Sequence, residues 1–229
     1  MKFVVIGASR GLGLCLTRDL LRAGHQVAAG TTTRNDALDA LKKAFPSQLL
    51  IFDGDVTDEA QVAAGAQQCH AFLGTIDALC HNAGVLLPSD RTTLLHQADI
   101  KDLRRTLDVN TVGPVVVVKH FYPILREGAK VFIITSEGTG LKQCGTWVPA
   151  YGLSKMAATK VSGILNASVK DRDFYSVHPG RMNTDMGRTT AQIEPDEASR
   201  GLVGLMTGEI EVHRENWYID YMGKPMPMN

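Results

Sequence analysis

Tyr151 and Lys155 stand four residues apart in the run Tyr151-Gly152-Leu153-Ser154-Lys155. On a helix, that spacing puts both side chains on one face. A phenol, with a reference pKa of about 10, is a poor general acid or base at neutral pH. A neighbouring ammonium favours the phenolate and brings that pKa down. The pair therefore suits a phenol that exchanges a proton with a substrate oxygen. Alone, the spacing fits an ordinary helix surface equally well. What distinguishes it is the company it keeps. Upstream, Thr135-Ser136 closes a run of β-branched residues, and a serine at a strand end can donate to an oxygen as negative charge develops there. Ser136 precedes Tyr151 by 15 residues, and Thr139 is a rival for the same hydroxyl role.

A second cluster has the chemistry of anion binding. Gly7-Ala8-Ser9-Arg10-Gly11-Leu12-Gly13 lies between an apolar run and a helical pattern. Glycines there let the backbone turn sharply against a pyrophosphate, whose charge sits at the helix N-terminus. The spacing is GxxxGxG rather than GxGxxG, and its position after a first strand favours dinucleotide binding. An NAD-selective site normally carries a carboxylate at the end of the second strand, for the ribose 2′-hydroxyl. Here that stretch reads Gly30-Thr31-Thr32-Thr33-Arg34, with no acid before Asp36. Thr32, Arg34 and Arg10 suit a 2′-phosphate instead, so NADP(H) is expected in preference to NAD(H).

The elements that must position these groups alternate along the chain. Strands are predicted over 2–7, 26–30, 48–52, 76–80, 131–135, 174–178 and 217–220. Helices are predicted over 12–23, 36–45, 58–70, 99–125, 149–169 and 195–206, the fourth strained near Gly113-Pro114. Continuous apolar strands alternating with helices imply a parallel sheet covered on both faces. Right-handed crossovers then give an α/β, doubly wound parallel sheet in a single domain. The chain has 229 residues, with 24 basic and 24 acidic side chains and no formal net charge. That balance favours neither nucleic acid nor an anionic membrane as partner. No apolar run is long enough to span a bilayer, and the N-terminal run reads as a strand rather than a signal peptide, so a cytoplasmic protein is expected. Cys15, Cys69, Cys80 and Cys144 form no CxxC pair and have no histidine cluster beside them. They read as small buried hydrophobes, with no metal site.

Together these residues resemble the short-chain dehydrogenase/reductase superfamily over nearly the whole chain, and most resemble its C-factor and sniffer-type carbonyl reductases. The match rests on the glycine turn, Asp55-Val56, Asn82-Ala83-Gly84, Asn110, Ser136, Tyr151 with Lys155, and Pro179-Gly180 followed by Thr184. His178-Pro179-Gly180 and the tail Tyr218-Ile219-Asp220-Tyr221 point to the branch. The resemblance implies a Rossmann fold and a hydride-transferring enzyme acting on a carbonyl or alcohol. It makes Tyr151 the proton donor in reduction. Lys155 would lower the phenol's pKa and hold the nicotinamide ribose. Ser136 would orient the carbonyl, and Asn110 would hold a relay water. Gly7, Ser9, Arg10, Gly11, Leu12 and Gly13 would carry the phosphates and ribose. Asp55 and Val56 would meet the adenine, Asn82, Ala83 and Gly84 would floor the cofactor, and Pro179, Gly180 and Thr184 would border the nicotinamide.

Three departures from the family pattern stand out, the first being that Ser136 lies farther before Tyr151 than is usual, which makes Thr139 a rival. Glu137 follows the serine where a small or apolar residue is usual, and His81 replaces the more frequent asparagine before Asn82. The resemblance also implies a possible homodimer through the two long helices. A substrate loop and helix are expected over about 185–210, with 186–193 closing over the nicotinamide. Two other functions compete. A dinucleotide-binding regulatory protein would have no need for a polarised phenol. An epimerase or dehydratase acting on a nucleotide sugar would usually carry a larger C-terminal domain.

Overall fold

Seven stretches, most of them buried on both faces, pair into one sheet. In the computed structural model, which describes residues 1–137, 146–187 and 191–228, these are β1 (Lys2–Ile6), β2 (Gln26–Thr31), β3 (Leu49–Asp53), β4 (Ile76–His81), β5 (Leu125–Ile134), β6 (Asp173–His178) and β7 (Tyr218–Asp220). All neighbours run parallel, in the order β3-β2-β1-β4-β5-β6-β7. The order reverses between β1 and β4, which opens a crevice at the carboxyl ends of those strands.

Helices α1 (Gly11–Arg22), α2 (Asp36–Ala44), α3 (Glu59–Leu73), α4 (Ile100–Leu107), α5 (Gly113–Phe121), α6 (Pro149–Ser168) and α7 (Pro195–Thr207) cover the sheet. One apolar core gathers Leu16, Leu20, Leu38, Leu202 and Leu205 from α1, α2 and α7 against Phe132 and Tyr175. The other packs Val62, Cys69, Val117 and Phe121 from α3 and α5 against Val4, Leu79 and Val131. The expected doubly wound architecture is therefore present, in a single domain with both faces covered. The helix expected in the substrate region, α7, packs along α1, with Ser199 donating to Asp19 at 2.7 Å and Arg18 donating to Asp196 at 2.6 Å.

Two expected elements differ. The helix predicted over 99–125 is divided. Proline at 114 has no N–H for the carbonyl of Asn110, so the α-helical ladder cannot continue there. The chain takes one π-helical turn over Asp108–Val112 instead, and the Gly113 N–H reaches back to the Asp108 carbonyl. The second departure is β5, which begins at Leu125 rather than near 131. Its first half contains exposed Arg126 and Glu127 and a left-handed Gly128, so no apolar run marks it. Pairing of Leu125 with Ile76, and a 2.6 Å bond from Arg126 to Asp77, hold it to β4.

The glycine turn joins β1 to α1 as the spacing predicts. Gly7 has φ +85°, and a Cβ there would lie 2.6 Å from the Ala83 nitrogen. At Gly13 a Cβ would lie 2.1 Å from the Gly7 carbonyl oxygen. Gly13→Ala therefore forces the turn apart. Overpacking of about 1–3 kcal/mol is expected, which lowers the melting temperature by about 2–10 °C for a chain of this size. Thermal unfolding followed by circular dichroism checks this, and an unchanged melting temperature would show that the turn is looser than its packing indicates.

Candidate active site

The site lies at the carboxyl edge of the sheet, where the ends of β1, β4, β5 and β6 meet α6. Lys155 is 4% exposed, and its Nζ donates to the Ile134 carbonyl, the last of β5, at 2.8 Å. That bond sets the first turns of α6 beside Thr135-Ser136. Burial pulls the Lys155 ammonium down to about 8. Tyr151, half-buried one turn earlier, presents its ring to Lys155, with Nζ 5.7 Å from the ring centroid.

The sequence argument expects the ammonium to lower the phenol's pKa. The structure shows the opposite balance: burial pushes Tyr151 up to about 12. The reason is geometric, since Nζ bonds to the strand carbonyl and lies over the ring. The phenol is therefore fully protonated at neutral pH.

Asn110 is 1% exposed and lies in the π-helical turn. Its Oδ1 accepts from the Val85 N–H at 2.8 Å, and its Nδ2 donates to the Val85 carbonyl and to Ser154 Oγ, each at 2.9 Å. Ser154 in turn donates to the Tyr151 carbonyl at 2.7 Å. Thr111 adds a 3.0 Å bond to the Ser154 carbonyl. The Asn110 amide thus locks α6 to the segment after β4. The α-helical partner of the Asn110 backbone carbonyl, residue 114, is a proline. Ser154 was not singled out from the sequence, although it stands inside the Tyr151–Lys155 motif.

Ser136 is half-buried past the end of β5, and its carbonyl accepts from Tyr218 Oη at 2.7 Å. Its rival Thr139 lies outside the described residues, as do Cys144 and residues 188–190. Glu137 forms an ion pair with Arg181 and lies 3.7 Å from His178 Nε2, so it ties the end of β5 to the segment after β6. His81 is packed rather than exposed: at 2% exposure, its Nε2 has no hydrogen-bond partner. Burial, reinforced by the Lys155 ammonium, pushes its imidazole down to about 3, so it is neutral.

The residues expected to hold a dinucleotide surround the same crevice. Asn82 donates to the Gly7 carbonyl at 2.9 Å and fixes the glycine turn to the end of β4. Gly84 lies against Lys155, since a Cβ there would come within 3.2 Å of its Nζ. Helix α1 has no side-chain cap and no acid in its first turn, which leaves its positive end open for phosphate. This cradle fits a dinucleotide pyrophosphate. The Leu12 side chain is in the core, 3% exposed, so only its backbone can face a ligand. The Ser9 carbonyl accepts from Asn35 at 2.7 Å, which links the turn to α2.

At the end of β2, Thr32, Thr33 and Arg34 are exposed, with Arg34 donating to the Ile51 carbonyl at 3.4 Å. Arg10 is also exposed and lies 3.5 Å from Asp185. Asp55 accepts from Thr57 N and Oγ1 at 2.9 and 2.7 Å; these bonds, with Arg105 nearby, outweigh burial and lower its pKa. Val56 is buried against Gly113. Thr184 reaches the glycine turn, its Cγ2 lying 3.5 Å from a Cβ built at Gly11. Gly180, at φ +83°, packs under Ile193. Gln192 and Ile193 bond back to the Arg181 carbonyl, and Asn183 donates to the Ile193 carbonyl at 2.8 Å. The segment expected to close over the site is thus pinned at its base. Among the described residues, no helix is long and apolar enough to cross a membrane.

Comparison with known proteins shows the family. The family model for short chain dehydrogenase matches residues 2–195. The chain is 33% identical over 197 residues to the short chain dehydrogenase gsfK of Penicillium aethiopicum, covering 81% of this chain and 77% of that one. It is 31% identical over 159 residues to the C-signal protein of Myxococcus xanthus, covering 67% of this chain and 93% of that one. The carbonyl reductase Sniffer of D. melanogaster superposes with a TM-score of 0.88 at 21% identity, over 98% of each chain.

The half-buried phenol of Tyr151 on α6 is the expected proton donor, and its removal tests that expectation. Tyr151→Phe keeps the ring and removes the proton. Turnover is expected to fall by about 10²–10⁴, with cofactor binding retained, as read by steady-state kinetics and by fluorescence titration. Near-normal turnover would remove Tyr151 from the chemistry.

Proposed function

The chain belongs to the short-chain dehydrogenase family, and on that premise we propose that it is an NADPH-dependent carbonyl reductase of the C-signal and sniffer-type branch, or an alcohol dehydrogenase in reverse. The observation that carries the reading is the placement of Tyr151 and Lys155 on one face of α6, with Lys155 anchored on the carbonyl that precedes Thr135-Ser136. NADPH would supply the hydride. Tyr151, protonated at neutral pH, would give its proton to the carbonyl oxygen, and Ser136 would orient that oxygen with its hydroxyl. Asn110, through its backbone, would hold the water that resupplies the proton.

Gly7, Ser9, Arg10, Gly11, Leu12 and Gly13 would bind the phosphates, in part through backbone N–H groups. Asp55 and Val56 would border the adenine. Asn82, Ala83 and Gly84 would lie beneath the nicotinamide ribose, with Pro179, Gly180 and Thr184 opposite. The charge pattern at the end of β2 supports NADPH over NADH, because Thr32, Arg34 and Arg10 are exposed there and no carboxylate precedes Asp36. Free Cys15, Cys69 and Cys80 suit a reducing compartment, and we place the protein in the cytoplasm on that ground. Exposed Val112 and Val115 beside α5, with Leu153 and Ile164 on α6, support a homodimer through those helices. Light scattering at micromolar concentration reads that mass, and a monomer rejects the dimer.

The activity is tested by following the oxidation of NADPH and NADH against aldehydes, ketones, quinones and ketoesters. Turnover with none of them would reject the reductase. Cofactor choice is tested by Arg10→Ala combined with Arg34→Ala. The NADPH dissociation constant is expected to rise by about tenfold or more, the loss of a charge-assisted contact, while that of NADH stays nearly constant. Equal weakening of both would mean that the arginines hold the pyrophosphate or the fold.

A further inference from the structure

Helix α6 begins in an unusual way. Its N-cap is Val148, a β-branched residue in the left-handed region at φ +51° and ψ +58°, with no side chain able to accept a hydrogen bond. A left-handed β-branched residue is strained by about 1–3 kcal/mol and persists only where its surroundings over-determine it. The first N–H groups of a helix also need acceptors, normally supplied by a Ser, Thr, Asp or Asn cap. The acceptors come from elsewhere in the chain. Asp90, 8% exposed in the short helical turn Pro88–Arg91 after β4, accepts the Ala150 N–H at 2.9 Å and the Tyr151 N–H at 2.8 Å.

The neighbours of Asp90 tie the same turn to the rest of the site. Ser89 Oγ donates to Asp102 of α4 at 2.5 Å, and α4 runs directly into the π-helical turn that carries Asn110. Arg91 donates to the Met186 carbonyl at 2.5 Å and stacks over Trp147 at 5.7 Å. Three consecutive side chains therefore join the asparagine element, the tyrosine element and the segment after β6.

We propose that Asp90 is the positioning residue for Tyr151: by accepting the backbone N–H groups of Ala150 and Tyr151, its carboxylate sets where the phenol stands at the sheet edge. The second turn of α6 does not depend on this contact, because Lys155 is held by Ile134 and Ser154 by Asn110 and Thr111. Loss of Asp90 releases the first turn alone, so the phenol is misplaced while Lys155 and the glycine turn stay. Displacement of a catalytic group by about 1 Å can lower a rate by about 10²-fold.

This inference rests on Tyr151 as proton donor, and the experiment separates the two claims. Asp90→Ala and Asp90→Asn are compared with wild type and Tyr151→Phe in NADPH-dependent reduction of an active aldehyde or ketone. Rates are normalised to the NADPH-binding sites present, counted by fluorescence titration, so misfolded protein does not register. Asp90→Ala is expected to lower kcat by about 10- to 100-fold with the NADPH dissociation constant nearly unchanged. Asp90→Asn is expected to lose less, because one oxygen still accepts while its NH₂ faces the other N–H. Wild-type kcat in folded Asp90→Ala, with Tyr151→Phe inactive, overturns the proposal. If Asp90→Ala does not fold, Asp90→Asn decides, and wild-type kcat there overturns it equally. A parallel loss of cofactor affinity also overturns it, since that would make Asp90 a support of the whole site. Activity in Tyr151→Phe would instead reject the assignment of the proton donor.

Discussion

The bond from Lys155 Nζ to the Ile134 carbonyl is the contact on which the other features of the site depend. It brings an ammonium to 4% exposure against a neutral acceptor. A buried charge held this way is disfavoured, and its pKa falls to about 8. The bond also fixes geometry. It joins α6 to the last residue of β5, so Tyr151 and Ser136 come to the same edge. Burial that depresses the lysine raises the phenol to about 12, so at neutral pH the lysine is largely a cation and the phenol a protonated acid.

Holding that edge together requires contacts from four separate stretches of chain. Asn82 secures the glycine turn to β4, Asn110 and Ser154 cross-link the π-helical turn to α6, and Tyr218 of β7 braces the Ser136 carbonyl. Each is a polar group in a poorly solvated place, and each is satisfied within the protein. Beside His178 Nδ1, the exception among the described residues is His81, with a buried Nε2 that has no partner. A neutral imidazole tolerates this better than a charged one, which agrees with its strongly lowered pKa.

The alternation of strands and helices was legible because parallel strands buried on both faces are apolar throughout. The glycine turn and the Tyr151–Lys155 pair were legible because their chemistry is local. Features that depend on distant partners were not. The cap of α6 comes from Asp90, which lies 60 residues from Ala150. Nothing near Val148 announces it. The π-helical turn follows from Pro114, yet the sequence indicated strain there without showing that the chain would absorb it by a wider turn around Asn110. The start of β5 was hidden because Arg126 and Glu127 face solvent and pairing alone makes them a strand. The direction of the Tyr151 shift was missed for the same kind of reason: spacing places an ammonium near the ring, but only the fold shows that Nζ bonds elsewhere.

A desolvated Lys155 stands beside a protonated Tyr151, and the most direct test of that pairing is the titration of Lys155 itself. Its side-chain carbon and nitrogen resonances can be followed by heteronuclear NMR across the alkaline range in the cofactor-free protein, with Lys155→Met identifying the signal. The account predicts a midpoint near 8, well below the ordinary lysine value of about 10.4. A Lys155 that titrates at the ordinary value would mean that its ammonium is solvated, that the bond to Ile134 does not hold it at the sheet edge, and that the geometry assigned to Tyr151 is wrong.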